Sequence, residues 1–251
     1  MKLKLLIYLL LINSCILSAQ STRLLSNMDT TYVPENYYLA NFTLESYYAS
    51  GSGDVEIKYG ELESDLLNAA VFFALNKERL KKRRKVLTYE PYLDYLGYNC
   101  AHYYSRSKFK PSKRNELLYE KNLYLAARSK PIPCHLFSTQ TRLVSIMNVE
   151  PKREIHRKRG DSRSAYGLYY RLPPELRNEP AEIVEVFTYN EFAEQVVKEM
   201  YSGRKRNRLN SKSYEIMAVY VYIEPKSLNR NKSPYAKVIQ IMGAKRLAVE
   251  S

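Results

Sequence analysis

Cysteine and histidine are scarce in this chain, three of each in 251 residues. No Cys-x-x-Cys occurs, and His102, His135 and His156 are scattered, so the ligand spacing of a zinc site is missing. Neither a metal nor a cofactor is expected from that inventory. A long apolar run is missing too. Met1–Gln20, MKLKLLIYLLLINSCILSAQ, is interrupted by Asn13 and Ser14 and falls short of the ~20 apolar residues that cross a bilayer. No internal repeat is visible.

What Met1–Gln20 does have is the layout of a secretory signal peptide. Two lysines precede an apolar centre and the small residues Ser18 and Ala19, with cleavage expected near Ala19 or Gln20. Cys15 admits a lipoprotein anchor, although Ile12-Asn13-Ser14 ahead of it make a poor lipobox. The expected location is therefore secreted or periplasmic, with no transmembrane span after cleavage. Two cysteines then remain, Cys100 and Cys134. They are a candidate disulfide, worth roughly 2–4 kcal/mol in an oxidising compartment. Two buried thiols are the equal alternative.

Charge is plentiful and mostly of one sign. Removal of Lys2 and Lys4 with the leader takes the formal charge from +14 to +12. The cations gather in Arg79–Lys85 (RLKKRRK), Lys152–Gly160 (KREIHRKRG) and Arg204–Arg208 (RKRNR). Two such runs on one face make an anion-binding patch. With 24 tyrosines interleaved, that patch would suit a polyanion or single-stranded nucleic acid. Solvated surface and contact with an anionic cell envelope are the competing readings, and export argues against nucleic acid.

The chain divides into the leader 1–20, an amino-terminal extension 21–60 and a domain over 61–251. The extension has no sustained helical period, and Gly51-Ser52-Gly53 marks a turn; it is read as partly ordered. From Ser64, a candidate cap, apolar residues recur at helical spacing through Leu75. A second helix is expected from Tyr89–Pro91 through Leu93, Leu96 and Ala101, and a third over 113–128. Leu143–Val149 has strand composition, whereas Pro151–Ser164 is polar and reads as an exposed loop. Thr188-x-x-Glu191 forms a capping box before a helix burying Phe192, Val196 and Met200, and Gly203 stands in a stop position. Tyr214–Glu224 and Tyr235–Gly243 read as an antiparallel hairpin with a long loop.

Two blocks in this order carry a family resemblance. Leu66–Phe109 holds an Asn-x-x-Arg step (Asn76, Arg79), a basic break, Leu87 and a tyrosine-rich helix. It resembles the "LNxxR…pLxxxxxLxxxAxxxa" opening of the CAP superfamily, the cysteine-rich secretory or SCP-like domains. The helix, Ser202-Gly203-basic turn and hairpin of residues 180–243 resemble the family's "GENIA…SpGHR…yteiGvGvy…yytQvFg" stretch. The resemblance implies an α+β fold, an α-β-α sandwich with a small antiparallel sheet between helices.

It also implies a cleft of two histidines and two acids, suited to holding a metal or sharing protons. Here the first histidine falls near Lys110 and the second on Arg204, neither of which is a metal ligand. The acid maps to Glu182, with Glu185 as the close alternative; a structural Glu182–Arg204 ion pair is an equal reading. His102 reads as a helix-face histidine, and His135 beside Cys134 faces the opposite way on a strand. The resemblance thus implies a non-catalytic binding module for lipid, a small apolar ligand, a cell-envelope component or another protein. A divergent hydrolase or metal-dependent member is one alternative, and a polyanion binder is another.

Overall fold

The computed structural model describes residues 31–58, 61–105, 134–148, 155–157, 168–171, 174–176, 180, 182, 184–202, 209–223 and 235–245. Two short helices come first, α1 (Tyr37–Asn41) and α2 (Leu44–Ser50), capped by Asn36 and by the Thr43–Ser46 box. Neither is long enough to show a period, which is why the sequence pattern hides them. This stretch is not a loose appendage, because Tyr47 and Ile57 belong to the main core and are 0% and 1% exposed. Glu56 also bridges to Thr188.

Helix α3 (Ser64–Lys81) buries every residue from Leu66 to Asn76. A helix apolar on all sides belongs inside. Ser64 is not its cap. It is the first helical residue, Glu63 is the N-cap, and no side chain closes the end. The Glu63 amide donates instead to the Tyr189 hydroxyl at 3.1 Å, so tertiary contact does the capping. The two-residue strand β1 (Thr88–Tyr89) leads into α4 (Pro91–Ser105), which begins on its proline as expected.

Strand β2 (Cys134–Ser145) starts well before the apolar stretch that marked it in the sequence. Its Ser138, Thr139, Gln140 and Thr141 are polar yet buried, so hydropathy conceals them. The expected loop at Pro151–Ser164 is corrected in part. Ile155–Arg157 is a strand, β3, paired antiparallel with β4 (Leu168–Tyr170). Backbone pairing satisfies its own polar groups whatever the side chains are, so polarity alone misleads there. The expected helix over 113–128 and the Gly203 stop lie outside the described residues.

Helix α5 (Tyr189–Ser202) starts in the predicted capping box. The Thr188 amide donates to Glu191 Oε2 at 2.8 Å, and the Glu191 amide donates to Thr188 Oγ1 at 3.1 Å. Phe192, Val196 and Met200 are all fully buried. The hairpin is formed by β5 (Ile216–Ile223) and β6 (Tyr235–Lys245), registered from Ile216↔Gly243 to Ile223↔Ala236.

The main sheet has the order β1-β5-β6-β2. Its three long strands are antiparallel, and only the short β1 runs parallel to β5. Alternation along β5 decides the layers. Met217, Val219, Val221 and Ile223 face α3 and α5 in the larger core. Ile216 and Ala218, with Ile239 and Ile241, face Leu93, Leu96 and Ala101 of α4. The protein is an α-β-α sandwich, with α3 and α5 on one side of the sheet and α4 on the other.

Candidate functional site

Of the four residues that the family resemblance aligns with a cleft, Glu182 and Glu185 are described, and both are exposed. They lie on the irregular approach to α5, where the Glu185 carbonyl accepts from the Asn148 amide at 3.0 Å. Lys110 and Arg204 lie outside the described residues. The side chains of Cys100 and Cys134 do as well, and so does that of His135. Among the described residues no group of three histidine, cysteine, aspartate or glutamate side chains is placed to hold a metal.

The Asn76-x-x-Arg79 step proves to be architecture. Asn76 Nδ2 donates to the Leu87 carbonyl at 3.1 Å, and the Leu87 amide returns a bond to Asn76 Oδ1 at 2.8 Å. Arg79 is only 2% exposed. Its Nε donates to the Lys85 carbonyl at 3.1 Å, and its two terminal nitrogens donate to the carbonyls of Leu209 and Ser211. Burial lowers the guanidinium pKa without discharging it. Arg79 therefore leaves the basic run Arg79–Lys85. Lys81 and Lys82 stay outside, beside Glu78 at 3.7 and 3.4 Å. The Asn-x-x-Arg pattern holds the α3–β1 turn and the approach to β5 together.

A different constellation gathers on the α4 side of the sheet. Asp94, Tyr98 and His102 recur every fourth residue and so share one stripe of α4. The stripe lies over Tyr220 and Tyr222, which alternate onto that face of β5. Tyr98 and Tyr220 meet at 5.6 Å and 89°, and His102 lies 5.1 Å from Tyr222. Tyr32, from ahead of α1, stacks flat on Tyr98 at 3.7 Å. At the far end Lys237 Nζ sits 5.8 Å from the Tyr222 ring. Helix and strand come this close because Gly97 faces Tyr220. A methyl at Gly97 would stand 2.8 Å from Tyr220 Cβ. The Gly97→Ala protein is expected to lose about 1–3 kcal/mol through this overpacking. Urea unfolding measures it, and an unchanged midpoint would show that the two elements separate freely.

Asp94 is the chemical centre of the group. It is 2% exposed, and Oδ2 accepts from the Tyr89 hydroxyl at 2.6 Å. Among the described residues Oδ1 has no hydrogen-bond partner. Desolvation pushes its pKa up to about 6, with the nearby Asp65 charge adding in the same direction and the Tyr89 bond opposing it. Tyr89, Tyr32 and Tyr220 are all held well above the usual phenol range, first by burial, then by the Asp94 charge for Tyr89 and Tyr32 and by Tyr32 ahead of Asp94 for Tyr220. The Asp94 carboxyl thus changes charge near neutrality while the phenols stay neutral. His102 stands eight residues further along α4, about 12 Å at helical rise, too far to pair with Asp94 as an acid–imidazole dyad. Its Nδ1 lies 3.0 Å from the Tyr98 carbonyl, and its ring touches Tyr98, Tyr220 and Tyr222, the helix-face role expected of it. The spacings were visible in the sequence. Their convergence was not, since it depends on which face of β5 meets α4.

No protein-family model, curated protein or solved structure matches the chain. Among the described residues no helix is long and apolar enough to cross a membrane.

Proposed function

We propose that this protein is an exported, CAP-like binding module that takes lipid, a small apolar ligand or a protein partner and carries out no turnover of its own. The observation that carries this reading is the aromatic face between α4 and β5. Tyr32, Tyr89, Tyr98, His102, Tyr220 and Tyr222 are each half-buried, neither sealed in the core nor free in solvent. Rings in that state offer large apolar area at small entropic cost, with polar tips for orientation. The α-β-α layering agrees with the scaffold implied by the family resemblance. Asn76 and Arg79, the polar residues of its first block, are committed to backbone groups and free none of their chemistry for a reaction. Export rests on the leader-like Met1–Gln20.

Displacement of a bound fluorescent anilinonaphthalene probe by oleate tests the reading. Saturable displacement is expected, weakened at least about fivefold by Tyr98→Ala or Tyr220→Ala through lost stacking. Failure of oleate to displace the probe would count against an apolar ligand. Turnover of an ester substrate that disappears in Asp94→Asn would favour the hydrolase alternative instead.

A further inference from the structure

Asp94 poses a problem that the binding reading alone does not solve. The chain has 40 lysines and arginines against 26 acids, yet among the described residues none of them pairs with this buried carboxylate. Among the described residues the ion pairs are made by Glu61 and Glu78, not by Asp94. Among the described residues the charged neighbour that acts on it is a second carboxylate, Asp65. One oxygen holds Tyr89, and among the described residues the other has no hydrogen-bond partner. A buried carboxylate in that state needs a counter-charge or a proton.

The surroundings favour one kind of counter-charge. The Tyr32 and Tyr98 rings lie parallel, and both stand perpendicular to Tyr220, at 90° and 89°. Aromatic faces attract weakly hydrated cations, and an adjacent carboxylate adds directional charge. Calcium asks for six to eight oxygen ligands, and among the described residues no group of three histidine, cysteine, aspartate or glutamate side chains gathers here to begin such a set. We infer that the free oxygen of Asp94 and the tyrosines around it form a binding site for a small organic ammonium ion. The ammonium sits against Asp94 Oδ1 and its alkyl groups against the Tyr98 and Tyr220 rings. The inference rests on the reading of the α4–β5 face as a binding face and names the charge its ligand carries.

Choline and its uncharged isostere 3,3-dimethyl-1-butanol separate charge from shape. Isothermal titration of the purified protein at pH 7.5 should show saturable choline binding, with the alcohol at least about tenfold weaker. Asp94→Asn keeps the shape and the Tyr89 bond. It should retain the near-ultraviolet circular dichroism of the folded protein while weakening choline at least about tenfold. Equal affinity for choline and the alcohol would overturn the ammonium site and leave the apolar-ligand reading standing. Undiminished choline binding in Asp94→Asn would place the cation elsewhere. Calcium chloride at matched ionic strength displacing choline would point to a generic cation site and overturn the inference. So would absence of binding by choline and tetramethylammonium up to roughly 50 mM, a weak limit even for ligands of this size. If choline binds but oleate displaces nothing, the apolar-ligand reading alone fails.

Discussion

Replacing Arg79 by methionine is expected to lower the unfolding free energy by about 3–5 kcal/mol, the range for removing several charge-assisted bonds from a buried site. Methionine fills much of the volume, so the loss reports the hydrogen bonds rather than a cavity. Three carbonyls, those of Lys85, Leu209 and Ser211, lose their donor together. Water does not replace it, because the side chain is buried. The turn that Arg79 holds carries its own strain. Arg83 sits there with φ +56°, a conformation that costs a non-glycine residue about 1–2 kcal/mol. Lysine at position 79 is expected to rescue little, since a single ammonium cannot span three separate carbonyls as a planar fork does. Guanidinium unfolding followed by far-ultraviolet circular dichroism checks both variants. A wild-type midpoint for Arg79→Met would show that the α3–β1 turn and the approach to β5 are held by other contacts.

Asp94 controls the second large effect, and its sign follows from the direction of its shift. The folded pKa is raised from the ordinary carboxyl value of 3.8 to about 6, so folding favours the protonated carboxyl. Its stabilising contribution is complete below pH 4 and declines as pH rises from about 4 to 6. Above that it is constant and unfavourable. A shift of that size corresponds to about 3 kcal/mol across the window. Asp94→Asn cannot ionise. It is expected to match wild type near pH 4 and to exceed it by about 1–3 kcal/mol at pH 7.5, less the cost of a buried amide. Urea unfolding of both proteins at the two pH values gives the difference directly, and other titrating groups cancel. A constant difference between pH 4 and 7.5 would mean that Asp94 does not titrate in this window. Stabilisation from losing an acid is informative beyond the folding problem. A group that destabilises its own protein at neutral pH is the kind that a cationic ligand relieves.

The legible parts of the fold are those where side-chain pattern and backbone need coincide. The apolar spacing of Leu66–Leu75 and the proline at the start of α4 announced their helices. The Thr188–Glu191 box placed the start of α5, and the alternation of residues 216–223 and 235–243 announced the hairpin. In each case burial of one face selects both the residues and the geometry. The pattern failed where polar residues are buried, as along Ser138–Thr141, and where elements are one or two turns long, as at Tyr37–Asn41. Their stability comes from neighbours far away in sequence, so a local window carries no trace of it.

The same division runs through the site. By itself the sequence determined a leader-like start, scarce metal ligands, an excess of positive charge, the three longer helices and the capping box of α5, while the α-β-α sandwich was what the family resemblance implied. It also displayed the Asn-x-x-Arg step and the four-residue spacing of Asp94, Tyr98 and His102. Only the tertiary structure decided what these residues do. It turned Arg79 inward to three carbonyls and left Glu182 and Glu185 exposed. It set Asp94 among tyrosines, with one oxygen unpaired among the described residues. The physical reason is that a residue type fixes which hydrogen bonds and charges it is able to offer. Desolvation and partners, which set their strength, arise only when segments such as Tyr32, α4 and β5 are packed together.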